Sequence, residues 1–385
     1  MLARLTVLNA AICRSRALWR AAPTLALAAA LYLVVAASHL GLIVPTAQAA
    51  DPLASVPCGP TVGAFGSLIR PPACWRPYAA TSPFNSALPA SPRLDGRSAA
   101  IVKRLLGFGA IENLVAGKAT SASNDYGRPS YFSTLTDPVF TVHCTESWGT
   151  CAVEGAKIRI PNSATPASGS DGHMTVVDQL SGVEYDFWRV QSKPLGGGTL
   201  TVAWGGRTRI DGDGRGSDAV AAQFGSMAGV LRLEEAQAGV INHALFIYVH
   251  CDSGRFVYPA TKTGQACSKI GESDSDAPAM GTRFQLNMSD AEINALSVPS
   301  WKKAILRAMA RYGLIVGDTG SKWGLKEESA RVYTSFGLSD KWVDWAKTQA
   351  GVTAWDGKYY FPINTGVDWQ QRLRVVAPCV SQRTC

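Results

Sequence analysis

Between residues 171 and 188 the chain carries Asp171, His173, Asp178, Glu184, Asp186 and Trp188, its densest group of side chains able to move protons. In an extended chain successive side chains alternate between faces, so Glu184, Asp186 and Trp188 share one face and Val183, Tyr185 and Phe187 the other. Two carboxylates beside an indole suit a carbohydrate. The ring stacks on an apolar sugar face, and carboxylates bind hydroxyls or transfer protons. A glycosidase uses one carboxyl as acid and another as base or nucleophile. A lyase needs a base such as His or Tyr and a group that neutralises the substrate's acid. The expected catalytic set is Glu184 and Asp186 as the acid/base pair, with His173 and His243 as proton carriers or substrate donors. The expected substrate contacts are Trp188, Asp178, Asp318 and Arg283. The competing reading of the 171–188 group is a polar strand turned to solvent, which alternation also produces.

The other candidates each have an ordinary structural alternative. His243 opens the apolar run His-Ala-Leu-Phe-Ile-Tyr-Val-His, where a histidine can equally be a buried, hydrogen-bonded one. Asp318 follows the apolar run Leu314–Val316, and strand ends are favoured places for site residues, but an Asp there also makes turns. Arg283 could hold an acidic group bidentately or pair with a local acid. Asp211, Asp213 and Asp218 lie in a Gly/Asp-rich loop whose composition suits calcium. That loop lacks the spacing and closing Glu of an EF-hand, and an ordinary turn explains it as well. No other cofactor is implied. Glu234 and Glu235 read as the solvated face of a short helix. Neither G-x-S-x-G, H-E-x-x-H, a P-loop nor a strand-to-helix G-x-G-x-x-G is present, which removes the main support for nucleotide binding and zinc-protease chemistry. An esterase with a non-standard serine stays open.

These residues need strands to position them. Val139–His143, Lys157–Pro161, His173–Asp178, Val183–Val190 and Thr199–Trp204 are short β-rich runs separated by Gly, Asn, Asp and Ser. Asn242–His250, Arg283–Asn287 and Leu314–Val316 add three more. Their number and spacing predict a mainly β fold, a β-sandwich or jelly roll, over residues 98–378. The runs at 173–178 and 183–190 predict a hairpin turning through 179–182. A helical insertion or C-terminal cap is expected at about 289–313 and 339–350. Ser289 and Glu292 make a capping box, Ser300 is expected to cap a second helix and Ser339 a third. A first helix is expected within 98–115. Residues 51–97 are rich in Pro, Ala and Ser and read as an extended arm, and 379–385 as a short tail.

Residues 1–50 carry Arg4, Arg14, Arg16 and Arg20, no acid, an apolar middle and Ala47-Gln48-Ala49. That order reads as a secretory signal, or as an uncleaved N-terminal anchor. Both place the bulk outside the cytoplasm, secreted or membrane-anchored, with the membrane touched only through this segment. Without these four arginines the net charge falls from +8 to +4. That is mild, and no basic run interleaved with aromatics occurs, so nucleic acid is not an expected partner. Eight cysteines remain after Cys13, an even number that suits disulfides in an oxidising compartment. Their order suggests neighbour pairing, 58–74, 144–151, 251–267 and 379–385. No zinc-type Cys/His spacing exists.

Ser82-Pro-Phe-Asn85, Asp171-Gly-His-Met174 with Val-Val-Asp178, Glu184-Tyr-Asp186-Phe-Trp188, His243-Ala-Leu245, Tyr258-Pro-Ala260, Met280-Gly-Thr-Arg283 and Tyr312–Gly320 occur in that order. This ordered set, over residues 80–345, resembles a broad family of exported bacterial proteins of unassigned activity. The family is similar to carbohydrate-active sandwiches of the concanavalin type. The resemblance implies a sandwich fold and a glycan ligand. The combined expectation is an exported glycoside hydrolase or polysaccharide lyase acting on a polysaccharide or cell-envelope glycan. The alternative is a non-catalytic glycan-binding or cell-envelope protein.

Overall fold

Asp178 ends an apolar strand, and its side chain makes the turn that the next strand needs. Oδ1 accepts from the Leu180 amide at 3.1 Å and Oδ2 from the Ser181 hydroxyl at 2.7 Å. Gly182 takes the left-handed conformation at φ +66° that closes the hairpin. The predicted hairpin therefore forms at 179–182, and Asp178 is engaged in shaping it rather than directed to a ligand.

The computed structural model describes residues 59, 62, 65, 66, 69–120 and 124–385. The expected signal or anchor lies outside them, as does Cys58 of the expected 58–74 bridge. These described residues form one compact unit. Its strands are β1 (Leu114–Ala116), β2 (Ser130–Ser133), β3 (Val139–Cys144), β4 (Lys157–Arg159), β5 (Met174–Asp178), β6 (Val183–Ser192) and β7 (Gly198–Arg209). They continue as β8 (Leu245–Val249), β9 (Arg283–Leu286), β10 (Leu314–Thr319), β11 (Trp323–Leu325), β12 (Thr353–Trp355), β13 (Lys358–Phe361) and β14 (Leu373–Val376).

The described chain is thus mainly β, in three sheets. Six strands run in the order β2-β5-β6-β7-β3-β4, five in the order β11-β8-β10-β9-β14, and three in the order β1-β13-β12. The two larger sheets are mixed: β2 with β5, β3 with β7, and β8 with β10 are parallel. Register sets the faces. Val177 sits opposite Glu184 and Thr175 opposite Asp186, so those four share a face of the six-stranded sheet.

Two segments without regular structure bind these sheets together. Residues 71–97, expected as an extended arm, bury Trp75, Tyr78 and Phe84 at 3%, 1% and 1% exposure. The Tyr78 amide donates to Ile210 O beyond β7 at 2.6 Å, and Phe84 O accepts from Ala244 before β8 at 2.7 Å. Residues 217–231 reach both sheets. Ala222 donates to Gly317 of β10 at 3.1 Å and Phe246 of β8 donates to Gly229 O at 2.7 Å, while Ser217, Ser226 and Met227 donate to the acids of β6. The Phe84–Phe224 and Phe224–Phe246 edge contacts, with centroids 4.9 and 6.3 Å apart, continue the same core.

The helices carry apolar stripes at 3.6-residue spacing. Ser300–Arg311 buries Trp301, Ala304, Ile305, Ala308 and Met309, and Gly313 at φ +83° follows it. Ser289 and Glu292 form the expected capping box on Asp290–Ala295. Two caps differ from expectation. Pro299 precedes the 300–311 helix, which makes Ser300 its first turn. Asp340, not Ser339, caps Lys341–Ala346 through the Val343 amide; its carboxylate accepts from that amide while the Ser339 hydroxyl is taken up by Asp344. The first helix runs Ser98–Gly107. Disulfides join Cys144–Cys151, Cys251–Cys267 and Cys379–Cys385 as expected, the last tying Cys385 back to a short helix at Pro378–Gln382. No helix among the described residues is long and apolar enough to cross a membrane.

Candidate functional site

Glu184 and Asp186 stand side by side on β6, and both are fully buried. Glu184 accepts from Tyr78 Oη at 2.7 Å and from the Met227 amide at 3.0 Å. Asp186 accepts from Thr175 Oγ1 at 2.8 Å, Ser217 Oγ at 2.6 Å and the Ser226 amide at 3.1 Å. Burial, then the neighbouring Asp186 charge, raises the Glu184 carboxyl well above its ordinary value. Burial raises Asp186 as well, opposed by the Ser217, Thr175 and Ser226 donors. Glu184 is raised the more strongly, so it is the partner that keeps a proton more readily, while three donors favour the charged form of Asp186. The expected acid/base pair in an open groove is therefore a sealed polar joint that fastens the arm and residues 217–231 to the sheet. The strand's polar face meets protein instead of solvent because Tyr78 and the serines supply the donors that water would have supplied.

His243 is also interior, 4% exposed, just before β8. Its Nε2 lies 3.2 Å from Glu235 and its Nδ1 2.9 Å from the Ala244 carbonyl. Glu235, expected on a solvated helix face, is 1% exposed and also pairs with Arg232 at 3.0 Å. Burial alone would raise that carboxyl, but Arg232 and His243 hold it below its ordinary value. The small void beside His243, about 10 Å³, cannot admit a sugar. His243 thus follows the buried-histidine alternative, and the four expected catalytic residues do not gather in one groove.

Two of the expected residues, His173 and Asp318, do not line an open cleft but lie close enough to feel the charge of Lys326, which does. His173 precedes β5 and Asp318 lies near the end of β10. Arg128, 1% exposed, links this region by donating to Asp318 at 3.1 Å. The His173 ring is 4% exposed, and its Nδ1 is buried with no hydrogen-bond partner. Burial, then the charges of Arg128 and Lys326, hold the imidazole well below its ordinary value, so it is neutral near pH 7. One guanidinium nitrogen of Arg128, Nη1, is buried without a partner too.

Lys326 lines the cleft itself, which has a volume of about 440 Å³. Its Nζ donates to Tyr126 O at 3.1 Å and lies 5.1 Å from the Tyr248 ring centroid. Burial, then repulsion from Arg128, lowers its amine to about 8, against the opposing pull of Asp318 and Glu327. No carboxylate among the described residues lies within ion-pair distance of it. The cleft is also lined by Lys118 paired with Glu327, and by Glu112, which accepts from Tyr248 at 2.6 Å and Ser321 at 2.7 Å. Burial, then the Glu112 hydrogen bond, raises the Tyr248 phenol. A half-buried lysine amine near neutrality, with tyrosines beside it, can accept a proton from a bound substrate.

Asp171, another cleft-lining residue, connects to an aromatic surface: Trp188 Nε1 lies 3.5 Å from its Oδ1. The Trp188 ring is 5.5 Å from Trp148, and Trp148 is 5.7 Å from Trp204. Trp148 is 64% exposed, held out by the Cys144–Cys151 loop. Trp188 was legible from alternation; Trp148, Lys326, Arg128, Tyr126 and Tyr248 were not singled out. Tyr248 shared the His243 run, and a Trp between two cysteines seven positions apart was the available signal for Trp148.

The remaining expected contacts fall elsewhere. Arg283, 3% exposed, donates to the carbonyls of Tyr312 at 2.8 Å and Ser86 at 2.7 Å and pairs with no local acid. Asp211 pairs with Arg209 at 2.7 Å, Asp213 with Arg215 at 3.5 Å, and Asp218 accepts from Gln223. These three do not converge as a calcium cage, because each side chain is turned to a local donor. Among the described residues the side chains of His250, Cys251 and Glu272 do converge, and Cys251 there is committed to its disulfide. No family model, curated protein or solved structure matches this chain.

Proposed function

We propose that this protein is an exported polysaccharide lyase that eliminates across an acidic sugar, with Lys326 as the proton acceptor. The observation that carries the reading is the Lys326 amine, lowered to about 8 and without a carboxylate partner, in a cleft of about 440 Å³. A cleft residue shifted by burial and a specific charge is a mark of function. Arg128 and the neutral His173 act as positioning residues behind it, since both are buried and border its charge. In the reaction the free amine takes the proton next to the sugar carboxylate. The electron pair forms a carbon–carbon double bond, the glycosidic C–O bond breaks, and water protonates the departing oxygen. Lys118 on the cleft wall is placed to offset the growing charge of the substrate carboxylate. Trp148 and Trp188 offer a stacking platform for neighbouring sugars.

Elimination is favoured over hydrolysis because Glu184 and Asp186 are sealed, while Glu112 and Glu327 in the cleft are already bonded to Tyr248 and Lys118. Those bonded carboxylates also favour a second reading, a glycan-binding protein without turnover. We further read the six- and five-stranded sheets as the layers of a sandwich, supported by residues 217–231 bonding to both. The order of Asp171-Gly-His173 and Gly317-Asp318-Thr319 within the resemblance to exported proteins supports the choice of cleft. The test is incubation of purified protein with uronate-bearing and neutral polysaccharides. Ultraviolet-absorbing unsaturated ends support elimination, new reducing ends without absorbance overturn it, and saturable binding without product selects the second reading.

A further inference from the structure

A second cavity of about 300 Å³ lies over Arg283, outside the residues assigned above. Its floor has an uncompensated cation. The Arg283 guanidinium is 3% exposed, bonds to two backbone carbonyls, and has no carboxylate within ion-pair distance among the described residues. Its NH1 has only the Ser381 hydroxyl, at 3.5 Å. Burial lowers this guanidinium to about 9, in keeping with a charge that has left water without finding an anion. Beside it Ser253, 8% exposed, has a buried hydroxyl with no hydrogen-bond partner. One cavity is thus lined by an unsatisfied hydroxyl and by a buried cation without a counter-ion, and each costs stability unless a ligand accepts from the one and neutralises the other.

The walls narrow the class of acceptor. Ile101, Val257, Val375 and Val376 make one side apolar, and Phe256, 50% exposed, stands among the lining residues. Of the lining carboxylates, Asp276 is paired with Arg97, and Asp95 accepts from the Arg97 amide at 2.8 Å. The exposed Arg255 is a further lining cation with no ion pair. We infer that this cavity binds a small organic carboxylate, its charged end on Arg283 and Ser253 and its apolar body against the valines and Phe256. A cavity lined by both apolar side chains and a buried guanidinium suits such a molecule better than a free phosphate, which has no apolar part. The site is independent of the Lys326 cleft.

The probes are benzoate, glucuronate and inorganic phosphate, titrated calorimetrically into the full mature protein. Benzoate is expected to bind saturably, with a stoichiometry of no more than one. Ser253→Ala is expected to weaken it several-fold, and Arg255→Ala to weaken it with a smaller salt dependence. Arg283 also holds backbone carbonyls, so Arg283→Lys is read only alongside circular dichroism; Ala277→Phe, which fills the cavity from its wall, is expected to abolish binding in a folded protein. Absence of saturable benzoate binding, equal affinity in Ser253→Ala and Ala277→Phe, or tighter binding of phosphate than of benzoate overturns the inference. Lys326→Gln is expected to leave benzoate affinity unchanged, which separates this site from the lyase reading.

Discussion

Replacing Glu184 by Gln and Asp186 by Asn should give opposite results, although both exchanges remove one possible charge and keep the shape. Asp186 accepts three hydrogen bonds as the charged partner. A hydrogen bond to a charged group is worth ~1.5–3 kcal/mol and a neutral one ~1 kcal/mol, so the Asn form loses about 1 kcal/mol in each of three bonds. Thr175 can turn its hydroxyl to accept from the new amide, which limits the total to about 2–3 kcal/mol. Glu184 already holds a proton, so Gln replaces one neutral donor by another and should change stability by less than about 1 kcal/mol at pH 5. The pH dependence carries the sign. The folded Glu184 keeps its proton above the unfolded value of 4.5, so the native state binds more protons than the unfolded one as pH rises past that point. Its stabilising contribution is complete below 4.5 and declines toward the raised folded value, by up to about 1.4 kcal/mol per pH unit. Glu184→Gln should flatten this decline and exceed the parent in stability at pH 9. Urea unfolding at pH 5, 7 and 9, followed by tryptophan fluorescence, measures all three quantities. Equal destabilisation by both exchanges, with the pH slope unchanged, would refute the sealed-joint account.

Other outcomes follow from the same structure. Replacing both Cys251 and Cys267 by Ala opens a loop with a sequence separation of 16 and should cost about 3 kcal/mol in urea unfolding; no change would mean that the loop is held by its packing alone. At Gly281, φ is +82° and an added Cβ would sit 1.9 Å from the Val257 carbonyl oxygen. Gly281→Ala should therefore lose at least ~3 kcal/mol, seen as a lowered urea midpoint. Asp318→Asn leaves Arg128 next to Lys326 without its countercharge, which should lower the lysine further and shift the rising limb of the pH–rate profile downward. An unshifted limb would remove Arg128 and Asp318 from the positioning role.

The alternation of β6 was readable because a period of two is a local property of the chain. What covers that alternating face is not local. Tyr78 and Ser217 lie 106 and 31 residues from their acid partners, in stretches without periodicity, so the same pattern served an open groove or a closed joint equally well. The arm at 71–97 was read as extended because Pro, Ala and Ser dominate it, yet Trp75, Tyr78 and Phe84 were the residues that drove it inward. His173 and Asp318 were legible through their strand-end positions. Lys326 and Arg128 were not, because a lysine's altered affinity for a proton comes from neighbours that only the folded chain supplies. Asp178 belonged to the turn rather than the site for the opposite reason: its partners are two and three residues away, and the Asp-Gln-Leu-Ser-Gly sequence already carried that signal.

The most direct measurement is the initial rate of unsaturated-end formation from a uronate polysaccharide, recorded from pH 6 to 10 for the parent, Lys326→Gln and Glu184→Gln. The account predicts a parent rate rising through about pH 8, loss of at least ~100-fold in Lys326→Gln, and retention in Glu184→Gln. Turnover that survives in Lys326→Gln while vanishing in a folded Glu184→Gln would return the chemistry to β6 and contradict the Lys326 cleft.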